Sequence, residues 1–163
     1  GFLYAGLMID ASGAPKVIEF NVRFGDPETQ PVMLRLQSDL VDLVEAAIDG
    51  RLDTTGAQWD PRPSLGVVMA AAPYPDTPRT GDVIAGLDDV PAMAKVFHAG
   101  TALDAEGRVV SAGGRVLCVA ALGESVSDAQ RNAYAGVAKV RWTNEFHRTD
   151  IGWRAIARER ADA

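Results

Sequence analysis

One stretch of sequence decides how this chain is interpreted: residues 17–30, VIEFNVRFGDPETQ. Apolar and polar side chains alternate in its first half, and a polar loop follows. A period of two residues predicts a β-strand that places Ile18, Phe20 and Val22 on one face. The other face then carries three polar side chains in a row, which are Glu19, Asn21 and Arg23.

The polar face suits a metal and an anion. Side chains two residues apart on a strand lie about 6.5–7 Å apart, so Glu19 and Asn21 could place two oxygens around Mg²⁺. Magnesium usually takes one or two protein groups and completes its shell with water and substrate phosphate. The planar guanidinium of Arg23 suits a phosphate or an acyl phosphate. On spacing alone, a salt-bridged strand edge is the alternative interpretation.

The longer string resembles the signature of a known family. Residues 19–30 are similar to the motif of the phosphoribosylamine–glycine ligases, also called glycinamide ribonucleotide synthetases, within the ATP-grasp superfamily. The resemblance covers essentially all 163 residues. Other segments are similar to the C-terminal part of that family in the same order: 1–8, 66–71, 80–82, 96–101, 113–117 and 150–154.

The resemblance implies a role for each residue of the motif. Glu19 and Asn21 match the protein ligands of the Mg²⁺ or Mn²⁺ that is bound with ATP. Arg23 matches a catalytic arginine near the transferred phosphate or the substrate anion. The substrate-binding loop, at the end that receives glycine and 5-phosphoribosylamine, matches Gly25, Asp26, Pro27 and Glu28.

The resemblance also implies a reaction. Glycine carboxylate attacks the γ-phosphate of ATP and forms glycyl phosphate, and the amine of 5-phosphoribosylamine then displaces phosphate to form the amide. The product would be glycinamide ribonucleotide, in de novo purine biosynthesis. Such chemistry relies on positioning and charge stabilisation, so it needs no side-chain nucleophile.

Composition narrows the classes of function. A hydrophobic fraction of 47% is enough for a packed core. The net charge of −6, with no basic stripe, argues against nucleic acid as a partner. No run approaches the roughly 18 apolar residues of a membrane span, and no signal peptide is recognisable, so we expect a cytoplasmic enzyme. Cys118 lies in an apolar run, which is typical of a small core residue.

The start of the chain bears on activity. Gly1 lies directly in a predicted strand, without a preceding turn or cap. By resemblance, we expect the chain to be the C-terminal portion of an enzyme. Its partner would be the missing N-terminal half, which would supply the groups that clamp ATP. The fragment alone is then expected to be inactive.

The predicted fold class is α+β, in two domains. Residues 1–60 are interpreted as the C-terminal part of an ATP-grasp domain, with a hairpin of strands 2–9 and 16–22. A helix is predicted from Pro31, and a second helix opens at Asp39 and stops at Gly50. The apolar residues of this second helix are predicted to be core, and they are Leu40, Leu43, Val44, Ala47 and Ile48. Its acidic residues are predicted to form a solvated face, and they are Asp39, Asp42 and Glu45.

Residues 61–163 are interpreted as the second domain, after a polar linker. Many short strands predict a small barrel or sandwich, which the resemblance specifies as a barrel-sandwich hybrid. A helix from Ser127 to Val140 is predicted, capped by Ser127 with Gln130. A strand and turn over 142–153 and a frayed tail over 158–163 follow. The predicted strands are 65–72, 82–85, 94–98, 108–111 and 115–122.

Alternatives to this ligase remain at this point. Another ATP-grasp ligase with a carboxylate substrate would share the strand motif but not residues 25–30. A non-catalytic capping or interaction module is a second alternative. A biotinyl or lipoyl carrier would need an exposed lysine at a hairpin tip, whereas Lys95 follows Met93 and Ala94 at the predicted start of a strand.

Four further residues carry open hypotheses. His98 is predicted to pack or to form a hydrogen bond, with a catalytic role as the alternative. Arg115 follows a tight Gly-Gly turn, and it either forms a salt bridge or faces the active site. Arg148 and Asp150 form either an ion pair that docks the C-terminus or a lid over substrate phosphate.

Overall fold

The computed structural model describes residues 1–161. Its first element is the predicted hairpin, formed by β1 (Tyr4–Ile9) and β2 (Pro15–Asn21). Asp10 closes the turn because its carboxylate accepts hydrogen bonds from the backbone amides of Ser12 and Ala14. The hairpin is confirmed, although β2 ends at Asn21 and leaves Val22 and Arg23 beyond the strand.

The apolar face of β2 is exposed. Ile18 is 65% exposed, Phe20 62% and Val22 90%. The predicted alternation is present, but the apolar face is not buried within the described chain. The physical reason is that the hairpin forms a separate two-stranded sheet, and no layer within residues 1–161 covers this face.

Two helices follow the hairpin. They are α1 (Thr29–Arg35), with Pro31 in its first turn, and α2 (Leu40–Ile48). Asp39 caps α2 by accepting a 2.7 Å hydrogen bond from the amide of Val41, as predicted. The expected solvated face, which comprises Asp39, Asp42 and Glu45, is confirmed as exposed.

The predicted core positions of α2 are wrong in part. The buried residue of this helix is Ala46, whereas Ile48 is 80% exposed. The remaining apolar side chains are half-buried because α2 borders an open apolar cavity of about 340 Å³ instead of packing beneath another layer. We call this cavity the apolar groove. Its lining includes Phe2, Phe24, Leu36, Leu40, Leu43 and Trp59.

A four-stranded antiparallel sheet forms the centre of the molecule. Its strands are β3 (Ser64–Ala71), β4 (Ala94–His98), β7 (Arg115–Leu122) and β8 (Glu145–His147), in the order β4-β7-β3-β8. A small hairpin of β5 (Thr101–Leu103) and β6 (Val109–Ser111) lies between β4 and β7 in the chain. The strands predicted near 65–72, 94–98, 108–111 and 115–122 are confirmed.

The sheet is covered by a helix on each face. On one face, α3 (Val126–Val137) packs against the core side chains of β3 and β7. On the other face, α1 packs against the same two strands, where Pro31 lies over Gly66. Cys118 is 2% exposed on this second face, as expected of a small core residue. The fold is therefore a mixed α/β arrangement with its core on the α3 side. That core includes Leu65, Val67, Met69, Leu117, Val119, Ala133 and Val137.

Two segments differ from the predicted strands and loops. Residues 82–85 form isolated bridges, from Val83 to Val110 and from Ala85 to Arg141, instead of a continuous strand. β5 was not predicted. Its three residues are too few for an alternation pattern to stand out.

The start of α3 corrects the predicted cap. The capping residue is Ser125, whose hydroxyl accepts a 3.0 Å hydrogen bond from the amide of Asp128. Ser127 instead bonds to Glu159, and the Gln130 side chain donates to the carbonyl of Ile151. The helix also ends at Val137, three residues earlier than predicted.

The last helix, α4 (Trp153–Ala161), replaces most of the predicted frayed tail. It is held because Glu159 accepts hydrogen bonds from the amides of Val126 and Ser127 at the start of α3. Ile156 is buried at 7% exposure. The part of the predicted tail at residues 162–163 lies outside the described residues. Among the helices of residues 1–161, none combines the length and apolar character that a membrane span needs.

Candidate functional site

The site begins at the end of β2. Glu19 and Asn21 lie two residues apart on this strand and so project from the same face. The register of the hairpin pairs them with Gly6 and Tyr4 of β1. Glu19 is exposed and Asn21 is half-buried. The structure therefore places the two predicted metal ligands side by side.

These two residues fit a magnesium or manganese ion that is bound together with phosphate. A carboxylate and an amide oxygen are hard ligands of the kind that Mg²⁺ prefers. The Asn21 amide nitrogen is buried without a hydrogen-bond partner in residues 1–161, so nothing described ties this amide to the protein. No cluster of three or more His, Cys, Asp or Glu side chains in the described chain could form an all-protein cage.

Tyr4 lies at the centre of the charged groups. Its hydroxyl donates a 3.4 Å hydrogen bond to Glu28 Oε1. The negative charge of Glu28, with a smaller effect of Glu19, raises the pKa of the Tyr4 phenol, while the charge of Arg23 lowers it. The Tyr4 ring thus lies against two of the predicted site residues, Gly25 and Glu28. Sequence reasoning missed Tyr4, and its signal is its position opposite Asn21 in the hairpin.

Arg23 does not continue the row on β2. It lies beyond the end of the strand, and its Nη1 donates a 2.9 Å hydrogen bond to the carbonyl of Phe24. The expected row of three polar side chains on one strand face is therefore reduced to two.

The loop of residues 25–28 folds against Tyr4. The carbonyl of Gly25 accepts hydrogen bonds from the amide and hydroxyl of Thr29, which starts α1. A Cβ added at Gly25 would lie 2.6 Å from Glu28 Oε2 and 2.9 Å from Tyr4 Cε2. A side chain at this position would force Glu28 or the Tyr4 ring to move, so Gly25 allows Glu28 to lie beside Tyr4.

Asp26 is bound by a residue of the central sheet. Arg115, the first residue of β7, forms an ion pair with it over 3.1 Å between Nη2 and Oδ2. Its Nη1 also donates a 3.1 Å hydrogen bond to the Asp26 carbonyl. The salt bridge expected of Arg115 is confirmed, and the side chain also faces the predicted substrate loop.

The remaining candidates lie away from this loop. His98 Nδ1 is 3.1 Å from Thr101 Oγ1, which confirms the expected hydrogen bond. Arg148 pairs with Asp150 at 2.7 Å and holds the pKa of that carboxyl below its ordinary value. Lys95 lies within β4 and not at a hairpin tip.

The ion pair of Arg148 and Asp150 is part of a docked segment. The hydroxyl of Tyr134, on α3, donates a 2.6 Å hydrogen bond to the carbonyl of Arg148 and accepts one from the amide of Ile151. The docking role is therefore supported by direct contacts.

Comparison with known families decides the relationship. The C domain of phosphoribosylglycinamide synthetase is a family whose model matches residues 64–154. The chain belongs to this family. A second model, for the ATP-grasp (A) domain of phosphoribosylglycinamide synthetase, matches residues 1–29 and so includes β2 with Glu19 and Asn21. The resemblance found from the sequence motifs is confirmed.

Individual relatives agree with the family of phosphoribosylglycinamide synthetases. A phosphoribosylamine–glycine ligase of Xanthomonas axonopodis pv. citri is 82% identical over 160 residues, which are 98% of this chain and 37% of the relative. The ligase of Pseudomonas syringae pv. tomato is 65% identical over 163 residues, 99% of this chain and 38% of its own length. The chain thus spans little more than a third of these relatives.

A solved structure shares the fold. The crystal structure of phosphoribosylamine–glycine ligase from Thermotoga maritima aligns with a TM-score of 0.73 and 36% sequence identity. The alignment covers 92% of this chain and 36% of that structure.

Proposed function

We propose that this chain carries the metal-ligand strand and the substrate loop of an ATP-dependent ligase that joins glycine to 5-phosphoribosylamine. The product is glycinamide ribonucleotide, in de novo purine biosynthesis. The observation that carries the proposal is the grouping of Glu19, Asn21, Gly25 and Glu28 around Tyr4. Family membership and the names of the relatives support the same reaction.

Glu19 and Asn21 are the proposed ligands of the Mg²⁺ or Mn²⁺ that accompanies ATP. When bound, the ion would neutralise phosphate charge. Arg23 is the proposed catalytic residue, because its guanidinium can stabilise the transferred phosphate or the substrate anion at this end of the site. The exposed position of Glu19 leaves its carboxylate accessible to an incoming ion.

The substrate loop suits the two amines of the reaction. Glycine carboxylate attacks the γ-phosphate of ATP, which gives glycyl phosphate and ADP. The 5-phosphoribosylamine nitrogen then attacks the glycyl carbonyl, phosphate leaves with the bonding electrons, and the amine loses a proton. Asp26 and Glu28 offer carboxylates that can accept hydrogen bonds from the glycine ammonium group and from the neutral amine of 5-phosphoribosylamine, while Gly25 and Pro27 shape the loop between them. No nucleophilic side chain of the protein is required.

The proposed domains are residues 1–60, as part of an ATP-grasp domain, and residues 61–163, as a barrel-sandwich hybrid. The polar segment before β3 and the short antiparallel strands after it support this division. An upstream half of the kind that the longer relatives carry is the proposed partner that clamps ATP. The supply of ATP and of small phosphorylated substrates favours a cytoplasmic enzyme.

The test uses a chimera in which this chain replaces the matching segment of the Xanthomonas axonopodis relative. We expect ADP release from ATP only when glycine and 5-phosphoribosylamine are both present. The chain alone should release none, since Glu19, Asn21 and Arg23 act on a nucleotide that other residues must hold.

Other outcomes would identify the alternatives. Turnover with a different carboxylate in place of glycine would indicate another ATP-grasp ligase. An inactive chimera beside an active intact relative would indicate a non-catalytic module and would contradict the proposal.

A further inference from the structure

We propose that Arg115, at the start of β7 in the central sheet, is a positioning residue that fixes the orientation of the substrate loop (residues 25–28). The inference rests on the proposed function, because the loop must receive glycine or 5-phosphoribosylamine. It adds a residue of the family C domain, which begins at residue 64 in this chain, to a site otherwise built from residues 4–28.

The contact is specific to one residue of the loop. Arg115 Nη2 lies 3.1 Å from Asp26 Oδ2, and Nη1 donates over 3.1 Å to the Asp26 carbonyl. A planar guanidinium can bind the side chain and the backbone carbonyl of one neighbouring residue at the same time, whereas a lysine ammonium is a point charge on a flexible stem. Asp26 Oδ1 has no such partner among residues 1–161 and remains available to accept a hydrogen bond from an ammonium group.

A β-bulge directs Arg115 toward the loop. The register of β3 with β7 pairs Met69 with Leu117 but Ala70 with Arg115, so Val116 is an extra residue. Strict alternation from Leu117 would place Arg115 on the α3 face with the core. The extra residue shifts it to the face of Ala70, which is the α1 face where the substrate loop lies. Bulges commonly re-aim a side chain next to an active site.

The backbone that carries Arg115 is held on both sides. Its carbonyl accepts a hydrogen bond from the amide of Gly100, and the carbonyl of Gly114 accepts one from Ala71. A Cβ added at Gly100 would lie 2.7 Å from the Arg115 carbonyl, and one at Gly114 would collide with the Tyr74 ring. These close approaches give the guanidinium a rigid base, as a positioning residue requires.

The first experiment measures the loop directly in the 163-residue chain. Hydrogen exchange of peptides that cover residues 24–32 is compared in wild type, Arg115→Ala and Arg108→Ala. Arg108 is the matched control, since it also pairs with an aspartate, Asp104, in a turn far from the loop in sequence. We expect Arg115→Ala to accelerate exchange of these peptides by about tenfold or more and Arg108→Ala to leave them unchanged. Equal exchange in all three proteins would overturn the inference.

The second experiment measures kinetics in the chimera. Arg115→Ala should raise the KM for glycine or 5-phosphoribosylamine by at least about tenfold while the KM for ATP stays the same. Arg115→Lys should recover only part of the loss, and added guanidinium should partly rescue Arg115→Ala. A wild-type chimera without turnover would contradict the proposed function, and hydrogen exchange would then still show whether Arg115 orders the loop. An active chimera whose Arg115→Ala variant keeps all three KM values would refute the positioning role.

Discussion

Glu19 and Asn21 lie on one face of β2 because side chains on a strand repeat every two residues. This relation is visible in the letters of the sequence, so both residues could be proposed as ligands before any fold was known. Substitution of either residue should affect activity without unfolding the chain, since Glu19 is exposed and neither side chain belongs to the hydrophobic core.

We expect Glu19→Ala and Asn21→Ala to lower kcat of the chimera by at least about a hundredfold, because each removes a proposed oxygen ligand of the nucleotide-bound ion. The measurement is ADP release, with circular dichroism as a check on folding. Glu106→Ala is the matched control, as it removes an exposed carboxylate in the turn between β5 and β6. Normal turnover of either variant at ordinary magnesium concentration would refute the metal assignment.

Cys118 gives a second prediction at this scale. Burial, with a smaller effect of the Asp26 charge, raises the pKa of its thiol from 9.0 to about 12. Because the thiolate is the reactive form, the folded chain at pH 8 should react with a disulfide reagent roughly a thousandfold more slowly than the unfolded chain. The rates are compared with and without guanidinium chloride. Similar rates in the two states would show that the thiol is accessible and ionised.

The positions of Tyr4 and Arg115 beside the substrate loop could not be predicted from the sequence. Tyr4 joins the site only through the pairing register of β1 with β2. Arg115 reaches Asp26 only because of one extra residue in β7. Register and bulges depend on how two distant segments pair, and local alternation does not contain that information.

At the scale of elements, the sequence offers two serines that could cap the start of α3. Ser125 and Ser127 are each followed three residues later by a residue that suits a capping box, Asp128 and Gln130. The sequence pattern therefore allows either start. Packing decides between them, because Ala129 and Ala133 are fully buried against the sheet and fix where the helix begins.

We expect Ser125→Ala to lower the free energy of unfolding by about 1 kcal/mol, the usual effect of losing a helix cap. Ser127→Ala should have a smaller effect, since its hydroxyl makes only a 3.3 Å contact with Glu159. Urea denaturation of the two variants beside wild type measures both values. A larger loss for Ser127→Ala would mean that the helix starts two residues later.

At the scale of the whole molecule, burial is uneven. Val67 and Val119 in the central sheet are fully buried, whereas β2 is exposed along nearly its whole length. Alternation predicted both kinds of strand, but it could not tell which apolar face would be covered. Covering depends on the elements that pack on a strand. The described chain places α1 and α3 on the central sheet, whereas β1 and β2 pack mainly against each other.

This asymmetry predicts an order of local stability. Backbone amides of β3 and β7 should exchange hydrogen at least about a hundredfold more slowly than those of β1 and β2, because regions with few buried contacts open most easily. Hydrogen exchange of the 163-residue chain at neutral pH measures this ratio. Equal protection would mean that the hairpin is covered in solution, for example by the hairpin of a second copy.

Val116 is an extra residue in β7, and it decides which face Arg115 lies on. The number of residues between Gly114 and Leu117 therefore matters as much as their identity. Apolar residues in β7 can be exchanged for others of similar volume without changing the direction of Arg115. An insertion between Gly114 and Leu117 would instead turn the guanidinium toward the α3 face or force a larger distortion of the strand. We therefore expect this segment to accept substitutions and to reject insertions, even when an inserted residue is as apolar as its neighbours.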